Sequence, residues 1–163
     1  MKRFGLTVLV SVLVASVLLM VVSATSDEEK VEATWEVGSC SIDLKVRPPR
    51  VDLGTSMDGE DLERLQANTI GVESNCKWVV TLREDDGVIT YQGNYPDPNK
   101  PVGDFKWRVH GGGGYNDLSA APQVVAEGEP GGHEFQTDYK VDVRSTDPPG
   151  RYAAQLIYTA TTP

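Results

Sequence analysis

The chain has 163 residues, with 24 acidic side chains against 15 basic ones and a formal net charge of −9 at pH 7. Such a balance repels phosphate backbones and anionic headgroups, which argues against a nucleic-acid partner and against docking on lipid through a basic patch. The length suits one domain with a real core and is too short for two comfortable ones.

The N-terminus reads Met1-Lys2-Arg3 and then an apolar run from Phe4 to Val22. Two positive charges followed by an apolar core form an export signal, and Val22-Ser23-Ala24 supplies small side chains for cleavage after Ala24. The run is 19 residues, close to the roughly 20 that span a bilayer, so an uncleaved anchor is the competing reading. Gly5, Thr7, Ser11 and Ser16 dilute the run, and the cleavage site that closes it favours a removable leader. Both readings send the rest of the chain outside the cytoplasm. The expected organisation is a signal peptide over 1–24, a lead-in with a possible first strand over 25–38, and a β-domain over 39–163. Removing the leader takes away two of the 15 basic residues and none of the 24 acidic ones, so the charge falls from −9 to −11.

Two cysteines, Cys40 and Cys76, lie in the exported part. An even count in an oxidising compartment predicts one disulfide, whose loop of about 37 residues contributes roughly 3–4 kcal/mol through chain entropy.

Downstream, the dominant signal is alternation. Trp78, Val80 and Leu82 share one parity, with Lys77, Thr81 and Arg83 on the other. Asp104–Val109 and Asp138–Arg144 alternate in the same way, and Tyr152, Ala154, Leu156 and Tyr158 share a parity near the C-terminus. Successive side chains of a strand point to opposite faces, so each segment reads as a strand with one dry face. Weaker strands are expected at 33–37, 41–46, 69–73, 88–91 and 123–126. Turn clusters such as Glu84-Asp85-Asp86-Gly87, Gly111–Gly114, Glu129-Pro130-Gly131-Gly132 and Asp147-Pro148-Pro149-Gly150 separate them. Leu62 and Leu65, three apart, suggest one short helix over 59–67. The fold class that emerges is all-β, a single antiparallel sandwich behind the signal peptide.

Asp147-Pro148-Pro149-Gly150-Arg151-Tyr152 resembles the tyrosine corner of immunoglobulin-like sandwiches, although Ala154 stands where those domains carry a cysteine. Val51-Asp52-Leu53-Gly54, Asn75-Cys76-Lys77-Trp78 and Pro149-Gly150-Arg151-Tyr152 are similar to motifs of bacterial surface and pilus-associated sandwich modules, including the WxL-type and spore-coat-U-like families. The resemblance implies an immunoglobulin-like sandwich. Peptidoglycan binding does not follow from it, because the paired Trp-x-Leu signatures are replaced by Trp78-Val79-Val80 and Leu156-Ile157-Tyr158.

Motifs for chemistry are sparse. His110 and His133 sit beside glycine runs, read as exposed loop positions, and would need Asp117 or Glu134 to complete a zinc site. The acidic clusters Asp58-Gly59-Glu60-Asp61 and Glu84-Asp85-Asp86 lack the spacing of a dedicated calcium loop. No nucleophile elbow or phosphate-cradling loop is present. The expectation is a protein that is not an enzyme, with no cofactor and no metal. Trp78 and Trp107 read as core, while Trp35, Tyr91, Tyr95 and Tyr115 remain as aromatics that could meet a ligand. The leading expectation is a structural or protein-interaction module at the cell surface, self-assembling or binding other surface proteins; strand addition by Glu32–Val37 is one mode, set against the favoured reading in which that segment forms the first strand of its own sheet. The alternative is a carbohydrate-binding module that uses those rings on a polysaccharide.

Overall fold

The computed structural model describes residues 38–57, 59–95 and 99–163. The apolar N-terminal run, the expected strand at 33–37 and Trp35 lie outside them. Eleven strands are present among the described residues: β1 (Ile42–Arg47), β2 (Leu62–Ser74), β3 (Trp78–Glu84), β4 (Val88–Gln92), β5 (Lys100–Pro101), β6 (Phe105–Val109), β7 (Asn116–Asp117), β8 (Gln123–Gly128), β9 (Gly131–Val141), β10 (Arg151–Ala153) and β11 (Leu156–Thr161). A single 3₁₀ turn over Val102–Asp104 is the only helical element among these residues, so none is long and apolar enough to cross a membrane.

All pairings are antiparallel. A five-stranded sheet runs in the order β1-β2-β9-β6-β7, and two three-stranded sheets run β11-β3-β8 and β10-β4-β5. Their inner faces share a core. Ala67, Phe105, Trp107 and Tyr139 from the large sheet pack with Leu82 and Ile89 from β3 and β4, and with Leu118. Ile70 and Val72 of β2 meet Trp78 and Val80 of β3 in a second cluster. Each such aliphatic side chain, fully buried, contributes about 1.5–3 kcal/mol.

Alternation served well where a strand is paired on both sides. β3 alternates buried and half-buried positions along its whole length, with Trp78, Val80, Leu82 and Glu84 inside. Phe105 and Trp107 of β6 face the core as their parity requires. Buried polar groups on these inner faces find partners: Trp78 Nε1 donates to Glu129 O at 3.0 Å, and the hydroxyls of Tyr139 and Tyr158 lie 2.8 Å apart. An indole or phenol can be buried cheaply only when its polar tip is bonded.

The expected helix over 59–67 is a strand. β2 begins at Leu62 and pairs with β9 along most of its length, but the register breaks between Arg64 and Asn68. Leu65, Gln66 and Ala67 form the bulge, with Gln66 at φ 52°. Leu65 is exposed and Ala67 buried, so the three-residue spacing of Leu62 and Leu65 reflects a bulge and not a helical face.

The C-terminal strand also divides. Tyr152, Ala154, Leu156 and Tyr158 all pack against the first core cluster, as their common parity predicts. The chain nevertheless leaves β10 at Ala153 and resumes as β11 at Leu156, changing partner from β4 to β3. Glu84 fixes the break. Its carboxylate is buried and accepts the backbone N–H of Gln155 at 3.3 Å, of Asp86 at 2.8 Å and of Gly87. One side chain thus pins both the β3–β4 turn and the switch between sheets. At the other end of β10, Tyr152 donates its hydroxyl to Pro148 O at 2.8 Å, clamping the Asp147–Gly150 turn. β9 starts at Gly131, inside the segment read as a turn, and stops at Val141, short of the expected Arg144.

Candidate functional site

Cys40 and Cys76 are joined in a disulfide with their Cα atoms 5.6 Å apart. A clasp surrounds the bond: Asn75 Oδ1 accepts the Ser41 N–H at 2.7 Å, and Asn75 Nδ2 donates to Ser39 O at 3.1 Å.

The aromatics singled out from sequence do not form one platform. Tyr91 lies on β4, its ring 5.1 Å from Tyr152 and 6.5 Å from the exposed Tyr95. Its hydroxyl donates to Pro149 O at 3.0 Å. A Cβ at Gly150 would run into this ring, so glycine there makes room for Tyr91. Tyr115 belongs to a different group, against Arg108 of β6 and Glu63 of β2.

That second group is the densest set of chemically capable side chains on the outer face of the large sheet. Asp138 and Arg108 are cross-strand partners on β9 and β6, and both point away from the core. Asp138 is nonetheless 0% exposed, because the β2 bulge and neighbouring side chains cover it. Its Oδ1 accepts the Gln66 backbone N–H at 2.8 Å and lies 2.8 Å from His110 Nδ1, while Oδ2 accepts Arg108 Nε at 2.8 Å. Burial alone would raise the Asp138 pKa. The bonds from Gln66, Arg108 and His110 outweigh it and hold the carboxyl below its ordinary value of 3.8.

The network continues outward. The Arg108 guanidinium stacks 4.4 Å from the Tyr115 ring centroid, and Tyr115 donates its hydroxyl to Glu63 Oε1 at 2.6 Å. Burial and the Glu63 carboxylate push the Tyr115 hydroxyl pKa upward, so it stays protonated and donating. The glycine run Gly111–Gly114 supplies the turn that brings Tyr115 back over β6, with Gly112 N–H bonded to Val109 O at 2.9 Å. His110 is therefore anchored at the end of β6, its N–H bonded to Gln136 O at 2.8 Å. His133 lies on β9 with its ring centroid 5.3 Å from that of Trp78. Both histidines are exposed, as the glycine runs suggested; His110 lies in the turn after β6, but His133 sits on a strand and not in a loop.

An Asp–His pair is half of a nucleophilic triad. Here the second ring nitrogen, His110 Nε2, faces the Gln66 amide nitrogen at 3.2 Å and not a hydroxyl or thiol. The ring thus bridges Asp138 to the bulge, one nitrogen facing each. The chemistry of the cluster is positional: it ties β2, β6 and β9 together through a buried charge. Sequence reasoning placed Asp138 and Arg108 on a wet face and missed the burial, for which nothing in the alternation carries a signal.

Further along the same face, Lys106 lies 2.5 Å from Asp117 and 3.3 Å from Asp142, and Lys140 lies 2.7 Å from Asp61 and 3.5 Å from Asp142. Glu84, Asp85 and Asp86 each turn to a different partner: Glu84 to backbone N–H groups, Asp85 to Arg83, and Asp86 to Val88 N–H. Among the described residues no three His, Cys, Asp or Glu side chains converge as a metal site. No known protein family and no curated protein matches the chain.

Proposed function

We propose that this protein is an exported, non-enzymatic immunoglobulin-like β-sandwich that serves as a structural or protein-interaction module outside the cytoplasm. The observation that carries this reading is the arrangement of sheet edges. Among the described residues β1 ends the large sheet and β11 ends the β11-β3-β8 sheet, and these two six-residue strands lie against each other on one flank. An unpaired edge offers a row of backbone donors and acceptors to an added strand. The opposite flank is blunted. β7 has two residues, and β8 carries a register irregularity opposite Val80 and Thr81, the kind of bulge that discourages edge pairing. A disulfide beside β1 supports an oxidising compartment.

Glu32–Val37, just upstream of β1, is the segment we propose as the strand that one copy gives to another. Size-exclusion chromatography with light scattering tests this on chains starting at Thr25 and at residue 39. Oligomers that disappear with residues 25–38, while circular dichroism stays unchanged, support donation of that segment. Oligomers that persist assign the contact to the β1 and β11 edges themselves. A clean monomer from both chains overturns self-assembly.

A further inference from the structure

Lys100, Asp104 and Asp147 form a second cluster, away from the Asp138 network. Lys100 lies on β5, Asp104 ends the 3₁₀ turn, and Asp147 sits in the turn before β10. Their side chains are 5%, 10% and 15% exposed. Lys100 Nζ donates to Asp147 Oδ2 and, at 2.9 Å, to the carbonyl oxygen of Asp142. Asp104 Oδ2 lies 3.5 Å from the same nitrogen. That oxygen is the one buried side-chain polar atom among the described residues with no hydrogen-bond partner. Its neighbour Oδ1 accepts from Arg144 Nη2 at 2.7 Å, and the Arg144 backbone N–H donates to Asp147 Oδ2 at 2.8 Å.

A buried ion pair recovers its desolvation cost only when the remaining lone pairs are satisfied, and Asp104 Oδ2 is not. We propose that Lys100 and Asp147 condense into an intramolecular isopeptide bond, with Asp104 Oδ2 carrying the proton. The reaction removes one positive and one negative charge from the interior. Holding an amine against a carboxyl carbon gives effective molarities on the order of 10⁵–10⁸ M, which offsets the cost of making an amide in water.

Burial raises the Asp147 pKa, but the Arg144 N–H and Lys100 outweigh it, so Asp147 starts as the carboxylate. The protons must therefore come from the lysine. The ammonium gives one proton to Asp104 Oδ2, which bares the Nζ lone pair. Asp104 passes that proton to Oδ1 of Asp147, which makes the carboxyl neutral and electrophilic. Nζ then attacks Cγ, and the Arg144 N–H stabilises the negative charge gathering on Oδ2. As the C–N bond is completed, the bond from Cγ to Oδ1 breaks, and Oδ1 leaves as water with the relayed proton and a second proton shed by the nitrogen. One ammonium and one carboxylate become one amide and one water, with no oxidant or reductant. The bond would tie β5 to the turn before β10, two segments that flank β4 in one sheet.

Mass spectrometry of the full chain, reduced and denatured, tests the proposal directly. The expected mass is one water below that of the reduced sequence for the N-terminus found. Tryptic digestion should yield a branched peptide in which Glu84–Lys106 is joined to Ser145–Arg151. Asp104→Asn keeps the Oδ1 acceptor for Arg144 and removes the proton carrier. It should restore the full mass while circular dichroism stays unchanged. A wild-type chain of full mass, with Lys100 open to an amine reagent in denaturant, overturns the proposal. A missing water without the branched peptide also overturns it, and a cross-link that survives in Asp104→Asn overturns the role of Asp104.

Discussion

Asp138 is the residue on which most of the outer-face network depends. It is buried, charged and bonded to three residues: Gln66 in the β2 bulge, Arg108 of β6, and His110 in the turn just after β6. Asp138→Asn keeps the shape but loses the charge and turns one acceptor into a donor facing other donors. Charged hydrogen bonds of this kind are each worth about 1.5–3 kcal/mol, so the variant should lose about 2–3 kcal/mol, read from urea midpoints at neutral pH. The pH dependence has a definite sign. The folded-state pKa is depressed below 3.8, so the stabilisation is fully present above that value and drains away as pH falls through the folded pKa. Wild type should lose stability with acid from about pH 4 downward, and Asp138→Asn should show a flatter slope in the same urea series.

At the scale of strands, legibility followed pairing. β3 and β6 were readable because a strand with one buried face and neighbours on both sides writes that face into its sequence, as Trp78-Val79-Val80-Thr81-Leu82 does. β5 and β7 have two residues each, too few for any period to show. The bulge at Leu65–Ala67 imitated helical spacing because three residues there stand opposite the single Asp138, which frees Leu65 from strand alternation and leaves it exposed three positions after Leu62. The Asp138–Arg108 and Lys100–Asp147 contacts join residues 30 and 47 positions apart, and register of that kind depends on the assembled sheets. The β8–β3 contact gives a local test. Gly128 pairs with Trp78, and a Cβ there would run into the indole ring. Gly128→Ala should cost about 1–3 kcal/mol through overpacking and change the near-ultraviolet signal of Trp78.

For the whole molecule, the disulfide decides how β1 is held. β1 pairs with β2 on one side, and Cys40 ties its N-terminal end to the β2–β3 turn. Replacing both cysteines with alanine should cost about 2–4 kcal/mol, measured as a drop in the urea midpoint. Reduction of the wild type should reproduce that loss, and equal midpoints for oxidised and reduced protein would show that the Asn75 clasp holds β1 without the bond.

If copies assemble through the β1 and β11 flank, as proposed above, its placement opposite bulged β8 would also limit how many can join. When two copies meet through the same flank, the contact is self-complementary and closes on a two-fold axis. Both accepting surfaces are then consumed, and growth stops at a pair. An open filament needs a second, dissimilar surface on each copy, so a donated segment is what would turn a self-limiting dimer into a head-to-tail polymer.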